Sequence, residues 1–267
     1  MADPEVDTSR GLGPEGRQAR ITERVLSTGS VSAQELAESF GVSVMTIHRD
    51  LDELQRQGVL RKARGIATAQ PSGTFESNVE YRAKANTEAK RLIAQHACRH
   101  VEPGMSLLLD DSTTALQMLP HLAALAPLTV ATNYLAALVE LAKLRDVQVV
   151  ALGGHYDVQH DSFLGSTCVD TVQSMRFDAA FVSTSAVSEG YAFHQEDKIV
   201  AVKRAMVDVA ARSHLLIDHT KLTRSALHRL LPLHRFASVV VDAAVPARDL
   251  AALRENDVLV EVAGRTD

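Results

Sequence analysis

Apolar residues recur every three or four positions in three consecutive segments near the start of the chain. This spacing predicts amphipathic helices over 17–28, 33–40 and 44–57. Serines precede the second and third helices as N-caps, and glycines follow the first and third: Ser32, Ser43, Gly29 and Gly58. Glu35 follows Ser32 at the spacing of a capping box, which strengthens the prediction of the second helix.

The next segment, 59–68, has the pattern of a short hairpin with basic residues at or near its bend. Two helices, a turn at Gly41, a third helix and a basic hairpin make the arrangement of a winged helix-turn-helix domain; a small helical bundle with exposed charge is the alternative. The start of the third helix would enter a DNA major groove, and the hairpin would neutralise phosphates. The predicted DNA contacts are Ser43, Met45, Thr46, His48, Arg49, Arg61, Lys62 and Arg64.

From residue 81 onward, short apolar runs alternate with helical segments. Helices are predicted over 81–100, 115–125, 134–144 and 197–211, and strands over 105–109, 128–131, 147–152, 177–183, 214–217 and 238–241. This alternation is typical of a parallel sheet flanked by helices. The predicted fold class is an α/β domain with a parallel-type sheet plus a small N-terminal winged helix-turn-helix domain. The predicted boundaries are a disordered tail over 1–15, the winged helix-turn-helix domain over 16–69, a linker over 70–80 and the α/β domain over 81–267.

Short polar side chains follow five of these predicted strands. Because ligands of open parallel sheets bind beyond the carboxyl ends of the strands, these loops predict a pocket for a polyol or a phosphate. The loop 112–114 begins a predicted helix, where hydroxyls and free amides suit an anion, and Lys221 adds a positive charge. Asp110 and Asp111 suit sugar hydroxyls, or they cap the helix. The predicted effector contacts are Asp110, Asp111, Ser112, Thr113, Thr114, Thr132, Asn133, Gly153, Gly154, Ser183, Thr184, Ser185, Asp218 and Lys221.

Composition and charge narrow the classes of function. The 267 residues are 46% hydrophobic and 23% charged, which is ordinary for a globular protein. Residues 17–64 carry a net charge of +2 within a chain of net charge −5, so this segment is the candidate for contact with a polyanion, with a solvated charged face as the alternative. No apolar run is long enough to span a membrane and no signal peptide is evident, so we expect a cytoplasmic protein with no membrane partner. Cys98 and Cys168 are too few for a disulfide framework.

The segment 34–51 reads QELAESFGVSVMTIHRDL and resembles the DNA-binding signature of DeoR-type transcriptional regulators. Their recognition helix usually reads Thr-Ile-Arg-Arg-Asp-Leu, whereas this chain has His48 at the first arginine. An imidazole in that place implies a weaker or pH-dependent contact with DNA. The hairpin keeps only Gly65 of a usual His-Gly-Gly.

The resemblance extends through the α/β domain, to about residue 245. Counterparts of the family's effector loops are found at 110–114, 132–133, 153–154, 202–204 and 218–221. Two positions depart from the family pattern. Ser112 replaces a usual glycine, and Ile199 stands where an acid is common, with Glu196 and Asp197 nearby.

The resemblance implies that the α/β domain has a fold similar to ribose-5-phosphate isomerase. That enzyme needs carboxylates to move a proton between sugar carbons, and Lys203 stands where its catalytic glutamate is expected. We therefore expect a sensor and not an enzyme, with an active isomerase as the weaker alternative. No cofactor or metal is expected; the spacing of four candidate ligands matches no compact metal motif: His155, His160, Asp161 and His194.

The expected partners are double-stranded operator DNA and a sugar or sugar-phosphate effector. The resemblance implies a transcriptional regulator of a carbohydrate or polyol catabolic operon. As is usual in the family, we expect a repressor, which leaves its operator when a sugar phosphate binds. An unphosphorylated sugar or polyol is the alternative effector. A homo-oligomer, either a dimer or a tetramer, would present paired recognition helices to repeated half-sites.

Overall fold

The computed structural model of the chain describes residues 13–69 and 79–264. Two compact units divide between Tyr81 and Arg82, and we call them the N-terminal domain and the α/β domain. Most of the predicted tail and linker, residues 1–12 and 70–78, lies outside the described residues. Residues 79 and 80, which we expected in the linker, are helical.

The N-terminal domain contains three helices and a three-stranded antiparallel sheet. In chain order the elements are α1 (Pro14–Thr28), β1 (Ser30–Ser32), α2 (Ala33–Phe40), α3 (Val44–Arg56), β2 (Leu60–Ala63) and β3 (Ile66–Ala69). The strand order is β1-β3-β2. The second helix has the predicted bounds, and its capping box is present, because Ser32 and Glu35 each accept a hydrogen bond from the other's backbone amide.

The first helix begins earlier than predicted, at Pro14, so residues 14 and 15 belong to α1 and not to a disordered tail. Proline suits this position because its missing amide hydrogen would have had no helical partner and its φ is already helical. Glu15 in the first turn places negative charge at the positive end of the helix dipole. Both effects extend the helix beyond its apolar pattern.

The apolar faces of the three helices converge on one core. Its fully buried side chains include Ile21, Leu36, Ile47, Leu51 and Leu54. Each such burial stabilises the fold by roughly 1.5–3 kcal/mol. This packing fixes α3 by its inner face and leaves the outer face of its first turns at the surface.

The hairpin of β2 and β3 closes with a two-residue turn at Arg64–Gly65. Both residues have positive φ, 50° and 78°, and the register pairs Ala63 with Ile66. A two-residue turn with both φ values positive matches the twist of paired strands. The turn presents the exposed Arg64 at the tip of the hairpin.

The α/β domain is built around a seven-stranded parallel sheet of order β15-β14-β12-β9-β4-β5-β6. Its strands are β4 (Ser106–Leu109), β5 (Leu128–Thr132), β6 (Val147–Ala151), β9 (Phe177–Val182), β12 (Ala210–Ile217), β14 (Ser238–Asp242) and β15 (Leu259–Ala263). The helices are α4 (Val79–Lys84), which begins just before the domain boundary, α5 (Thr87–Ala97), α6 (Leu119–Leu122), α7 (Leu135–Leu141), α8 (Ser166–Gln173), α9 (Asp197–Val209) and α10 (Ala247–Arg254). The predicted parallel sheet is confirmed.

Two smaller antiparallel units accompany the main sheet. One is the hairpin of β7 (His155–Asp157) and β8 (Ser162–Leu164), and the other is a sheet of β10 (Ala186–Ser188), β11 (Tyr191–His194) and β13 (His228–Pro232). We did not predict either unit, because strands of three to five residues carry little periodic signal.

The central strands of the main sheet are apolar on both faces, as expected for parallel strands covered by helices. The buried side chains of β4, β9 and β12 include Leu108, Phe181 and Leu215. The carboxyl ends of these three strands therefore lie side by side at one edge of a buried core.

Two predicted helices are interrupted. The helix predicted over 81–100 divides into α4 and α5, because Asn86 adopts a left-handed conformation with φ 53°. The helix predicted over 115–125 is instead a 3-10 turn, the short α6 and a second 3-10 turn. Pro120, near the start of α6, has no amide hydrogen and so cannot continue the hydrogen-bond ladder of a longer helix.

Candidate functional site

The N-cap and first two turns of α3 hold five of the eight predicted DNA contacts. Ser43 is its N-cap and accepts a hydrogen bond from the Thr46 amide at 3.1 Å, and the two hydroxyl oxygens lie 2.9 Å apart. These two side chains therefore organise the start of the helix. Met45 and Arg49 are exposed, and neither side chain makes a polar or ionic contact with any residue that the structure describes.

His48 and Lys62, both predicted DNA contacts, are less exposed than Met45 and Arg49. His48 is half-buried, and its Nδ1 atom is shielded from solvent without a hydrogen-bond partner among residues 13–69 and 79–264. The Lys62 ammonium forms an ion pair with Asp52 and donates to the His48 carbonyl. Lys62 thus ties the hairpin to α3, while Arg61 and Arg64 remain exposed.

A buried ion pair holds α3 against α1. The Arg17 guanidinium contacts the Asp50 carboxylate at 2.6 Å, and the Gln18 amide donates to the same carboxylate at 3.2 Å. Both members of the ion pair are buried. Sequence reasoning missed this pair, although Asp50 lies within the segment that carries the family resemblance.

Four polar loops of the α/β domain meet at one edge of the sheet. They follow β4, β5, β9 and β12, which are neighbours in the sheet. The Ser183 amide, after β9, donates to the Asp110 carboxylate, after β4, at 2.7 Å. The Ser162 hydroxyl, on β8, donates to Asp111 at 2.9 Å. The polar residues predicted from separate parts of the sequence are therefore brought together.

Asp110 and Asp111, both predicted effector contacts, are buried and paired with one cation. The Lys203 ammonium contacts both carboxylates, lying 2.9 Å from Asp111. Burial alone would raise the pKa of Asp111, but Lys203, His160 and Arg82 lower that pKa to about 2. Burial would lower the pKa of Lys203, and the two carboxylates raise it. Lys203 is thus a buried cation and cannot act as the base of an isomerase.

Three hydroxyls of this edge form hydrogen bonds with the protein backbone. Thr132 accepts from the Tyr134 amide at 3.1 Å, Ser112 accepts from the Ala115 amide at 3.0 Å, and Thr184 donates to the Phe193 carbonyl. The predicted contacts Thr132 and Thr184 therefore shape the loops.

Asn133 is a predicted effector contact with a buried polar atom that is unpaired among the residues that the structure describes. Its amide nitrogen donates to the Phe163 carbonyl at 3.0 Å. Its buried Oδ1 has no hydrogen-bond partner within the described part of the chain. A buried acceptor without a partner is costly, so this atom is suited to accept a hydrogen bond from a bound hydroxyl group.

Positive charge collects beside the same loops. Lys90 of α5 is 4% exposed and donates to the Arg82 carbonyl. Burial and the neighbouring charges of Lys221, Arg82 and Arg224 lower its pKa to about 7, against the opposing effect of Asp218. An anion placed among these charges would relieve their repulsion.

Lys221 lies where the sequence placed it, in the loop after β12. The Asp218 carboxylate caps this loop by accepting from the Thr220 amide at 3.0 Å, and it also accepts from Asn86 at 3.1 Å. Asn86 and Lys90 both come from the start of α5, so this helix contributes to the edge although no predicted contact lay on it.

Arg82 contacts the loop after β4 and the β7–β8 hairpin. Its carbonyl accepts from the Thr113 hydroxyl at 3.3 Å, and its guanidinium lies 3.3 Å from the His160 ring. His160 in turn contacts Glu196 at 2.7 Å. A continuous polar network therefore runs from the loop after β12 to the β7–β8 hairpin.

Gly153 and Gly154, both predicted effector contacts, lie in the connection from β6 to the β7–β8 hairpin. Both are exposed beyond the end of the edge strand β6. A Cβ atom at Gly154 would lie 2.5 Å from the Leu164 carbonyl oxygen. Only glycine allows the chain to approach the β7–β8 hairpin this closely.

One group of described residues brings possible metal ligands together, away from the polar edge. Donor atoms of His100, His214 and Glu261 lie within 4.8 Å of one another. However, the rings of His100 and His214 are stacked with centroids 4.1 Å apart, and imidazole lone pairs lie in the ring plane. The carboxylate accepts instead from His96 at 3.0 Å and from His100 at 2.8 Å. This cluster ties α5 and the turn after it to β15.

Both parts of the chain match known families. Residues 17–72 match the family described as DeoR-like helix-turn-helix domain, and residues 85–243 match the family described as DeoR C terminal sensor domain. The chain belongs to the DeoR family. It is a transcriptional regulator in which a helix-turn-helix domain binds DNA and a C-terminal domain senses an effector. The family predicted from segment 34–51 is confirmed.

Similar proteins match 91–96% of the DeoR-family chain. A protein of Escherichia coli O157:H7, named for transcriptional repression of the aga operon, is 31% identical over 96% of each chain. The glycerol-3-phosphate regulon repressor of Escherichia coli K12 is 28% identical over 92% of this chain and 98% of its own length. The L-fucose operon activator of Haemophilus influenzae is 27% identical over 91% and 98%. These relatives are regulators and not enzymes.

Solved structures with similarity to the DeoR-family chain include ribose 5-phosphate isomerase A of Methanocaldococcus jannaschii, at 17% identity and a TM-score of 0.39, over 52% of this chain and 55% of that one. The structure of eIF2B beta from Chaetomium thermophilum is similar at 13% identity and a TM-score of 0.45, over 85% and 78%. None of the described helices is both long and apolar enough to cross a membrane.

Proposed function

We propose that this DeoR-family regulator represses a carbohydrate or polyol catabolic operon and leaves its operator when a sugar phosphate binds at the polar edge of the parallel sheet. The observation that carries the proposal is the group of cations around the buried Lys90, which includes Arg82, Lys221 and Arg224. A phosphate dianion would relieve their mutual repulsion. The names of the relatives, which refer to the aga operon, the glycerol-3-phosphate regulon and the L-fucose operon, support a substrate class of this kind.

The sugar part of the effector has its own candidate partner. The unpaired Oδ1 of Asn133 is buried on a loop that neighbours Ser162 and Asp111. It can accept from one sugar hydroxyl, while the cations hold the phosphate. Lys203 offsets much of the negative charge of Asp110 and Asp111, so these carboxylates repel a phosphate less than their sequence suggests.

At the DNA, we propose that the first turns of α3 read bases and that Arg61 and Arg64 contact phosphates. Arg49 is exposed on the outer face of α3 and is the candidate for a bidentate contact with guanine. A dimer or tetramer would align two such helices with repeated half-sites. Lys62 acts indirectly, by fixing the hairpin against α3.

A thermal-shift panel of sugar phosphates against their parent sugars tests the effector assignment. We expect at least one sugar phosphate to raise the melting temperature of the wild-type protein, and Lys221→Ala to abolish that rise while operator binding persists. Arg49→Ala should give the reverse pattern, with loss of operator binding and an intact thermal shift. Stabilisation by a parent sugar or polyol alone, unaffected by Lys221→Ala, would contradict the phosphate assignment.

A further inference from the structure

The outer face of α3 presents one large apolar side chain where the helix begins. Met45 is 63% exposed, in the first turn after the Ser43 cap. Single exposed apolar residues are common on protein surfaces. The position of Met45 is what distinguishes it, because the N-terminal turn of a recognition helix is the part that contacts base edges.

The polar side chains next to Met45 are either engaged in hydrogen bonds within the domain or half-buried. The hydroxyls of Ser43 and Thr46 are engaged with each other and with the helix N-terminus. His48 is half-buried. Met45 and Arg49 therefore remain as the long exposed side chains in the first two turns of α3.

Met45 and Arg49 share one face of the helix because they are four residues apart. Their separation along the axis is about 6 Å at 1.5 Å per residue. Base pairs of DNA rise about 3.4 Å each. The two side chains are thus spaced to reach bases one or two steps apart on the same stretch of groove.

The charge on this face also favours DNA. Asp52 lies seven residues after Met45, about two turns further along. Its carboxylate is paired with the Lys62 ammonium, which bridges from the hairpin. The ion pair removes a bare negative charge that would otherwise repel the DNA backbone near Met45.

The chemistry of the Met45 side chain determines which base feature in the major groove it can recognise. A thioether has no hydrogen-bond donor and is only a weak acceptor, so it distinguishes bases by apolar contact. The C5-methyl group of thymine is the apolar feature of the major groove, whereas an arginine suits the O6 and N7 atoms of guanine. The unbranched methionine chain adapts its shape to such a contact.

We propose that Met45 is a specificity-determining residue that recognises a thymine methyl group in the operator, one or two base steps from the base contacted by Arg49. The proposal rests on the proposed role of α3 in the major groove. It predicts that the protein selects thymine over cytosine at that step and that the preference comes from the methyl group and not from a hydrogen bond.

Operator selection followed by methyl deletion tests this proposal. The full-length protein selects a binding sequence from a random duplex pool, and each thymine of the half-site is then replaced singly by deoxyuridine, which removes only the methyl group. For the wild type, we expect one replacement to weaken binding about fourfold, the effect of about 0.8 kcal/mol for one buried carbon. For Met45→Ala, the same replacement should have no effect.

Two control variants separate the possible outcomes. Met45→Leu, which keeps an apolar side chain, should retain sensitivity to the methyl group, and Ile66→Ala, at the exposed start of β3, should leave it unchanged. If Met45→Ala keeps the wild-type response to every deoxyuridine while Arg49→Ala loses binding, the Met45 proposal is wrong and the role of α3 stands. If the wild type selects no sequence, both proposals are wrong.

Discussion

At the residue scale, buried ion pairs connect the elements of each domain. Arg17 with Asp50 fixes α3 to α1, and Lys203 of α9 fixes the loop after β4 through Asp110 and Asp111. A buried ion pair stabilises little compared with apolar residues of the same shape, but removal of one partner leaves an uncompensated charge. These residues therefore matter most when they are changed singly.

Asp50→Ala should lower the free energy of unfolding of the N-terminal domain by about 3–5 kcal/mol, because it leaves the Arg17 guanidinium buried without its partner. Urea denaturation followed by circular dichroism measures the loss. Glu53→Gln is the matched control, since it breaks an exposed pair with Arg56 on the same helix and should cost less than about 1 kcal/mol. Equal costs for the two variants would contradict the structural role of Asp50.

Lys90 should make effector binding depend on pH. A bound phosphate favours the ammonium form, so binding takes up a proton when the pKa of Lys90 in the free protein is about 7. Affinity for a phosphorylated effector should therefore be highest near pH 6–7, where the phosphate is largely a dianion and Lys90 is charged, and should fall as the pH rises above 7. The slope cannot exceed tenfold per pH unit for one proton.

Titration calorimetry of the effector between pH 6 and 9 measures this dependence, and buffers of different ionisation enthalpy report the proton uptake. Lys90→Arg should remove the decline above pH 7, because arginine stays charged. An unchanged pH profile in this variant would exclude Lys90 as its source. Without effector, the burial cost of charged Lys90 is fully present below about pH 7, and stability should rise with pH above that value.

At the element scale, the sequence predicted those elements whose limits are set by local chemistry. The bounds of α2 follow from the Ser32 capping box and from Gly41, whose φ of 63° ends the helix. The break at 115–125 went unpredicted because an apolar pattern continues through Pro120. Local sequence signals therefore predicted the element bounds of the N-terminal domain better than those of the segments that connect the strands of the parallel sheet.

The candidate site was predictable to the extent that it follows the strand ends. Parallel topology brings Asp110, Asn133, Ser183 and Asp218 to one edge, and their positions in sequence were sufficient to expect this. Lys90 was not predictable, because it is one of several charged residues in an Ala/Lys/Arg-rich segment and its burial depends on how α5 packs. The ion pair between Asp110 and Lys203 was not predictable either, because the two residues are 93 positions apart and meet only in the tertiary structure.

The hairpin offers a prediction at this scale. Arg64→Ala should reduce the slope of log affinity against log salt for duplex DNA by about 0.9, because it removes one phosphate contact. Lys62→Ala should weaken binding without changing that slope, since its ammonium is paired with Asp52 and acts by holding the hairpin. Anisotropy titrations at several salt concentrations distinguish the two variants. The same slope change in both would show that Lys62 contacts DNA directly.

At the scale of the whole molecule, the DeoR-family chain joins a DNA-binding domain to an effector-sensing domain whose parallel sheet carries a polar edge. Lys203 is held as a cation by two carboxylates, so under the proposed function the α/β domain would bind a sugar phosphate without using Lys203 as a base. Binding energy that is not spent on chemistry is available to shift the protein between a state with high operator affinity and one with low affinity. Such coupling must be reciprocal.

The measurement that tests this most directly is operator affinity with and without the stabilising sugar phosphate, together with effector affinity with and without operator. Fluorescence anisotropy on the selected duplex and calorimetry on the same protein provide the four constants. We predict that the effector weakens operator binding by a factor of about 5–150 and that the operator weakens effector binding by the same factor. Tight binding of a sugar phosphate with no change in operator affinity would contradict the account.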